Sequence, residues 1–221
     1  YDDFIQKGWF KFPDHSEDVI MLEDFRADPI NSKLNTPSGK IEIFSETINS
    51  FGYDDCPGHP VWLEPCEWLG QKDKKYQLHL ISNQPKDKLH SQLDHGKFSR
   101  SNKVNGREPV FINKNDATKR NLKDKDLVQV YNDRGSCYAS VVIDNNLRSG
   151  VILISTGAWY DPIDPSINNS PCKNGNPNTL TPDKGTSSLA QGPIAHTCMV
   201  EIRLAEGEIP SVTAYDPPRF I

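Results

Sequence analysis

Ser91 beside His90 offers a nucleophile and a base, but side chains adjacent in sequence seldom point at one another. No G-x-S-x-G elbow is present to hold such a serine. His90 and His95 lie five apart and His79 stands alone, so no metal-ligand spacing recurs. The five cysteines (56, 66, 137, 172 and 198) are odd in number and lack any C-x-x-C, which fits neither a zinc site nor a disulfide framework. Neither G-x-G-x-x-G nor a Walker phosphate loop occurs. The chain therefore shows no self-contained catalytic set and no metal ligands. What remains is three loops rich in hydrogen-bonding groups. The first runs from Ser82-Asn83-Gln84-Pro85 to Leu89-His90-Ser91-Gln92, and the second is Asn132-Asp133-Arg134-Gly135. The third extends from Trp159 to Gly192 and closes on Ala195-His196. Their hydroxyls, amides and imidazoles both donate and accept, which suits a ligand with heterocyclic edges and phosphates.

Each loop follows a segment that reads as a β-strand. Residues 77–82, 110–113, 126–132, 137–143, 151–155 and 197–204 carry β-branched or aromatic residues at strand spacing. A short capped helix is expected from Asn115 to Asn121. Asn132 to Gly135 is a hairpin signal, with Asp and Gly tolerating left-handed conformations. Asn132 and Asp133 are explained by that hairpin as well as by a ligand, and Trp159 and Tyr160 read as packing residues. The predicted fold is mainly β: a six-stranded barrel with short helices.

Residues 1–75 read as an irregular N-terminal extension, ending at the charge run Lys72-Asp73-Lys74-Lys75. Within it, Val19, Ile20, Leu22 and Phe25 suggest a helix capped by Ser16 and stopped by Pro29. Lys40-Ile41-Glu42-Ile43-Phe44 alternates like a half-buried strand. Residues 76–205 form the barrel and 206–221 a C-terminal tail. The 25 Lys and Arg against 30 Asp and Glu give a net charge of −5, which argues against a duplex nucleic-acid binder. No apolar run is long enough to span a bilayer as a helix. The chain opens Tyr1-Asp2-Asp3, without initiator Met or signal sequence, and so reads as processed or as part of something longer. By residue types alone it is a polar ligand-binding β-barrel whose ligand stays unnamed.

Six motifs in order then become informative: Leu80-Ile81-Ser82-Asn83-Gln84-Pro85, Leu89-His90-Ser91-Gln92, Gly106-Arg107-Glu108-Pro109, Asn132-Asp133-Arg134-Gly135, Trp159-Tyr160-Asp161-Pro162 and Thr186-Ser187-Ser188-Leu189-Ala190-Gln191-Gly192. Together they resemble the C-terminal cofactor-binding region of the dimethyl sulfoxide reductase family of molybdenum enzymes, nearest to trimethylamine N-oxide and biotin sulfoxide reductases. Residues 35–45 and 51–60 resemble the segment leading into that region. The resemblance implies a double-psi β-barrel holding part of a bis(molybdopterin guanine dinucleotide) molybdenum cofactor, shared with upstream domains. Carried over by position, Gln84, His90, Ser91, Gln92, Asn178, Ala195 and His196 would contact the cofactor, with Ser82, Asn83 and Gln191 as further candidates. Family members often have His where this chain has Gln84, and either side chain can donate a hydrogen bond.

The implied reaction is reduction of an S- or N-oxide, of trimethylamine N-oxide, biotin sulfoxide or methionine sulfoxide type, by oxygen-atom transfer to Mo(IV). The serine that ligates molybdenum in this family belongs to an upstream domain, so this part alone would bind cofactor without turnover. The resemblance further implies a c-type cytochrome as electron donor and a location on either side of the inner bacterial membrane, the periplasm being favoured over the cytoplasm. The competing reading is a stand-alone barrel that binds another nucleotide or a protein partner without catalysis.

Overall fold

The computed structural model describes residues 1–13 and 18–217. Ser16, read above as a helix cap, lies outside the described residues, as does the end of the tail. The contacts divide the chain into two units, Tyr1–Pro60 and Val61–Ile221. The charge run Lys72 to Lys75 falls inside the second unit, where Lys75 pairs with Asp133.

The first unit holds three short helices, α1 (Asp2–Lys7), α2 (Glu23–Ala27) and α3 (Glu46–Ser50), none of which buries a residue. Ser45 caps α3, its hydroxyl accepting from Ile48 N at 3.3 Å. The helix expected around Val19 is reduced to α2, because Leu22 is left-handed (φ 59°) and the chain cannot enter the helix before Glu23. The strand expected at Lys40 to Phe44 does not form. Thr36 Oγ1 takes the Lys40 carbonyl at 2.7 Å, and the Ser45 N–H goes to Gly58. Without a partner strand the alternation has nothing to bury against, and Ile43 is 82% exposed.

In the second unit, six strands close a barrel: β1 (Leu78–Ile81), β2 (Pro109–Ile112), β3 (Leu127–Tyr131), β4 (Ser136–Ile143), β5 (Val151–Leu153) and β6 (Met199–Leu204). They neighbour one another in the order β1-β5-β2-β4-β3-β6 and back to β1. All six expected strands are present within two or three residues of their expected ends. Alternate residues fill the interior, among them Leu78, Leu80, Val110, Ile112, Val128, Val130, Val141, Ile152, Val200 and Ile202. β4 departs from simple alternation, because its first six residues are all buried. Its inner face belongs to the barrel and its outer face is covered by the long loop, where Tyr138 N donates to Cys172 O at 2.8 Å.

The pairs β1–β5 and β2–β4 are parallel and all other neighbours antiparallel. These directions put the C-terminal ends of β1, β3 and β5 at the same end of the barrel as the N-terminal ends of β2, β4 and β6. A helix closes the opposite end: α4 is Lys97–Ser101, and the closing helix α5 is Lys114–Lys119, following β2. α5 starts one residue before its expected position, with Asn113 as cap accepting from Asn115 N at 2.9 Å. Buried Asp116 on α5 accepts from Ser149 Oγ (2.9 Å) and Gly150 N (2.7 Å), which fixes the turn into β5.

The loop after β5 is less open than its composition suggests. Cys172, Asn174, Asn176 and Leu180 are buried, while most of residues 163–169 and 183–193 stay at the surface. The packed part is held by a buried charge cluster. Lys88 pairs with Asp94 at 2.8 Å and with Glu108, and Lys103 lies 3.0 Å from Asp94 and 3.4 Å from Glu108. Asp94 also accepts from Trp159 N (2.9 Å) and from Tyr215 OH (2.7 Å) in the tail. Asp161 clamps the same tail, accepting from Thr213 N at 2.7 Å and Ala214 N at 3.1 Å while pairing with Lys173 at 3.2 Å.

Burial pushes the Asp94 carboxyl up, but hydrogen bonds from Lys88, Trp159 N–H and Tyr215, with the Lys103 charge, outweigh it and hold the pKa at about 2. A carboxyl lower in the folded chain than its ordinary 3.8 stabilises the fold above that pH and loses the effect as pH falls towards 2. Wild type is expected to exceed Asp94→Asn in unfolding free energy, with that gap closing by roughly 2 kcal/mol between pH 5 and pH 2. Urea titrations across that range measure it, and a gap independent of pH contradicts the assignment. In the barrel itself, Leu80→Ala is expected to cost about 2–5 kcal/mol in the same assay.

Candidate cofactor site

The strand directions bring the polar loops to one end of the barrel. β1 and β5 run parallel with Ile81 opposite Leu153, so the segments that follow them leave side by side. Asn83 O accepts from Thr156 N at 2.9 Å, and Asn83 Oδ1 accepts from Ser155 Oγ at 3.0 Å. Gln84 Oε1 accepts from Thr156 Oγ1 at 2.9 Å. Its amide NH2 makes no hydrogen bond among the described residues and lies on an exposed side chain. Ser82 is buried beneath them, and Asn83 and Ser155 also border a cavity of about 530 Å³.

The turn at residues 89–92 crosses directly over this pair. Gln92 N donates to Leu89 O at 2.9 Å, and His90 takes a left-handed conformation (φ 50°). Gly157, at φ +97°, lies so close beneath that a Cβ would collide with the His90 carbonyl oxygen. Only glycine satisfies both demands. Trp159 Nε1 donates to Ser91 O at 2.8 Å, and its ring packs at a tilt against His95 and Tyr215. The side chains of His90, Ser91 and Gln92 are thus presented outward from a backbone that is pinned from below.

A third segment arrives through β6. Leu80 N donates to Cys198 O at 2.9 Å, so Ala195 and His196 come beside the end of β1. The His196 carbonyl accepts from His79 Nε2 at 2.5 Å, which fixes the proton on that ring nitrogen. Ala195 is half-buried and His196 exposed.

Asn178 sits on the neighbouring 3-10 turn, Pro177–Thr179, with its side chain exposed. That turn is fastened by the β3–β4 hairpin. Leu180 O accepts from Asn132 Nδ2 (2.9 Å), Arg134 Nε (2.6 Å) and Cys198 Sγ (3.3 Å). The hairpin forms as expected, with Asn132 N donating to Gly135 O at 3.1 Å, yet none of its four residues is left-handed. Gly135 is needed for another reason: a Cβ there would stand 2.8 Å from Thr179 O. Arg134 binds Glu67 through two bonds of 2.5 and 3.0 Å, and Glu67 also accepts from Met199 N at 2.7 Å. Burial pushes Glu67 up, but the bonds from Arg134 and Met199 outweigh it and keep the carboxyl below its ordinary value. The Glu67 carboxylate holds Arg134 more firmly protonated than usual. Burial raises the Cys198 thiol to about 11, against the pull of Arg134, so it packs as a neutral group.

The structure therefore gathers Ser82, Asn83, Gln84, His90, Ser91 and Gln92 into one contact set, with Ala195 and His196 beside it. Asn178 is linked to that set through Leu180 and the start of β6. Gln191 is apart, spending its amide on Ser187 O (2.9 Å) within its own surface loop. Asn132 serves the hairpin and its neighbours, while Asp133 accepts from Tyr76 OH at 2.8 Å. Thr156, Gly157 and Glu67 were not singled out from the sequence; His79 was weighed there only as a metal ligand, and Arg134 only as part of the hairpin motif. Gly157 left one signal, a glycine just after a strand, and Glu67 left none. Among the described residues no three His, Cys, Asp or Glu side chains gather as metal ligands.

Residues 78–199, which contain strands β1 to β5 of the barrel, the start of β6 and these loops, match the molydopterin dinucleotide binding domain. The dimethyl sulfoxide/trimethylamine N-oxide reductase of Cereibacter sphaeroides is 41% identical over 220 residues, covering 99% of this chain and 27% of that protein. The trimethylamine-N-oxide reductase of Haemophilus influenzae is 44% identical over 203 residues, covering 91% of this chain and 25% of that protein. This chain thus spans about a quarter of the length of these reductases. In fold it is similar to acetylene hydratase from Pelobacter acetylenicus, with a TM-score of 0.63 at 18% identity over 80% of this chain and 25% of that one. The resemblance seen in the six motifs is thereby borne out, and the chain belongs to the molydopterin dinucleotide binding domain family.

Proposed function

We propose that this chain is the C-terminal cofactor-binding part of a bacterial molybdenum oxidoreductase that reduces S- or N-oxides. The observation that carries this reading is the cradle made by residues 82–84, 90–92 and 156–157. Gly157 leaves no room for a side chain there, and its neighbours hold the backbone while turning Gln84, His90 and Ser91 outward. Such a donor set fits a dinucleotide, whose phosphates accept from N–H and O–H groups and whose base presents both donors and acceptors.

Gln84, His90, Ser91 and Gln92 would hold one part of a bis(molybdopterin guanine dinucleotide) cofactor, and Asn178, Ala195 and His196 another. Ser82 and Asn83 orient the first group from beneath, and Gln191, apart in its own surface loop, would reach the cofactor only from that loop. The cofactor would supply the two-electron oxygen-atom chemistry, while these residues bind and orient it. The two parallel strand pairs support a double-psi connection of the barrel. The similarity to trimethylamine N-oxide reductases supports an N-oxide substrate, with biotin or methionine sulfoxide as related chemistry. The first unit exposes Phe12, Val19, Met21, Ile30 and Ile43, an apolar content that suits contact with upstream domains of the same protein. A periplasmic setting with a c-type cytochrome donor completes the proposal.

The test is made in the full-length protein. His90→Ala is expected to weaken cofactor retention about tenfold, the equivalent of one charge-assisted or two ordinary hydrogen bonds. Gly157→Ala should lower it further, because the turn at His90 must open. Molybdenum and released guanine nucleotide per mole of protein are the readouts. Full occupancy in both variants, or wild type without molybdenum, would overturn the proposal.

A further inference from the structure

A second polar site lies away from the cradle, between α4, the Gly106-Arg107 turn and the tail. It is a cleft of about 700 Å³ bordered by Lys97, Arg100, Lys103, Arg107, His95 and Tyr215, and among the described residues no carboxylate lines it. This is unexpected in a chain whose acidic residues outnumber its basic ones.

The charges beneath the cleft do not balance. Asp94 and Glu108 answer Lys88 and Lys103. Arg107, only 7% exposed, has no ion-pair partner of its own among the described residues; it feels the Asp161 charge at longer range, and that carboxylate is already paired with Lys173. Its guanidinium reaches two backbone carbonyls, Pro210 O at 2.6 Å and Asn105 O at 3.4 Å, and Nε makes no hydrogen bond. Lys103 Nζ, though within ion-pair range of two carboxylates, also makes no hydrogen bond of acceptable geometry. At the rim, Lys97 and Arg100 have no ion-pair partner among the described residues, and Arg100 instead lies over the Tyr215 ring at 5.3 Å. A buried guanidinium without a directly paired counter-charge is costly, and two buried donor groups without hydrogen bonds, Arg107 Nε and Lys103 Nζ, beneath a cationic rim call for an acceptor.

We infer that this cleft binds a small phosphate-type oxyanion, either free or as the phosphate of a small ester. Arg107 and Lys103 supply the positive floor, and Arg100 and Lys97 close on the anion from the rim. Tetrahedral oxyanions suit this arrangement, because they accept from several directions at once and guanidinium groups meet them with two parallel donors. The site also gives the Gly106-Arg107-Glu108-Pro109 motif a role that the cofactor cradle does not.

Titrating inorganic phosphate into the full-length protein by calorimetry at low ionic strength is expected to give saturable binding. Arg100→Gln and Lys97→Gln, both at exposed positions that leave the fold intact, should each weaken it about tenfold, and Arg100→Lys should restore part of the loss. Arg107→Gln, which keeps a donor for Pro210 O, should abolish it. Methyl phosphate competing as well as phosphate would assign the cleft to an ester, and its failure to compete to the free anion. No saturable phosphate binding in wild type, or binding indifferent to the Arg100 and Lys97 substitutions, overturns the inference.

Discussion

A carboxylate removed from water must be answered by neighbours, and Asp94 is answered by four groups from three parts of the chain at once. Lys88 and Lys103 bring the segment between β1 and β2, Trp159 N the loop after β5, and Tyr215 the tail. Removing any one of these leaves buried charge or buried donors unpaired, a cost of several kcal/mol at worst. The cluster therefore couples elements that share no strand pairing. It sets the height at which Trp159 reaches Ser91, and with it the position of the His90 turn over Gly157.

The barrel supplies the other constraint. Its strand directions are fixed by which faces can bury Leu, Ile and Val, and they bring the polar loops to one end while α5 closes the other. Each loop is then tied to the next by short bonds: Asn83 to Ser155 and Thr156, Trp159 to Ser91, His79 to His196, and Arg134 to Leu180 and Glu67. The hydrophobic interior decides where the loops emerge, and the polar bonds decide how they face.

The strands were legible because their signal is local: β-branched residues at period two survive any tertiary context that buries one face. The Asn132 to Gly135 hairpin was legible for the same reason, although Gly135 is needed for its approach to Thr179 rather than for turn geometry. Lys40 to Phe44 carries the same local signal and forms no strand, since pairing is a property of two segments. The loop after β5 read from its residue types as a polar, ligand-contacting segment, with no sign of which residues would be buried. Asn174 is in fact fully buried, and it bonds Trp159 O and Tyr215 OH, both at 3.0 Å. Glu67 and Arg134 lie 67 residues apart, and no spacing rule connects them. The candidate site residues were reached through motif resemblance, and the structure adds the backbone contacts that make most of them neighbours.

The division of labour among polar groups follows from these contacts. Most of this unit's buried charge is spent on holding it together, in the Asp94 cluster, Glu67 with Arg134, Asp161 with Lys173 and Arg120 with Glu201. The cradle itself offers amide, hydroxyl and imidazole side chains and backbone, with no lysine, arginine or carboxylate among its named residues. Neutral donors are cheaper to desolvate than lysines, and they distinguish ligands by direction rather than by charge alone. Directional recognition works only if the donors are already in place, since ordering a loop costs about 1–2 kcal/mol per residue. Charge pairs set behind the cradle meet that cost during folding. A ligand arriving at Gln84, His90 and Ser91 then finds their backbone positions fixed, and its own hydrogen bonds contribute to affinity with less offset from loop ordering.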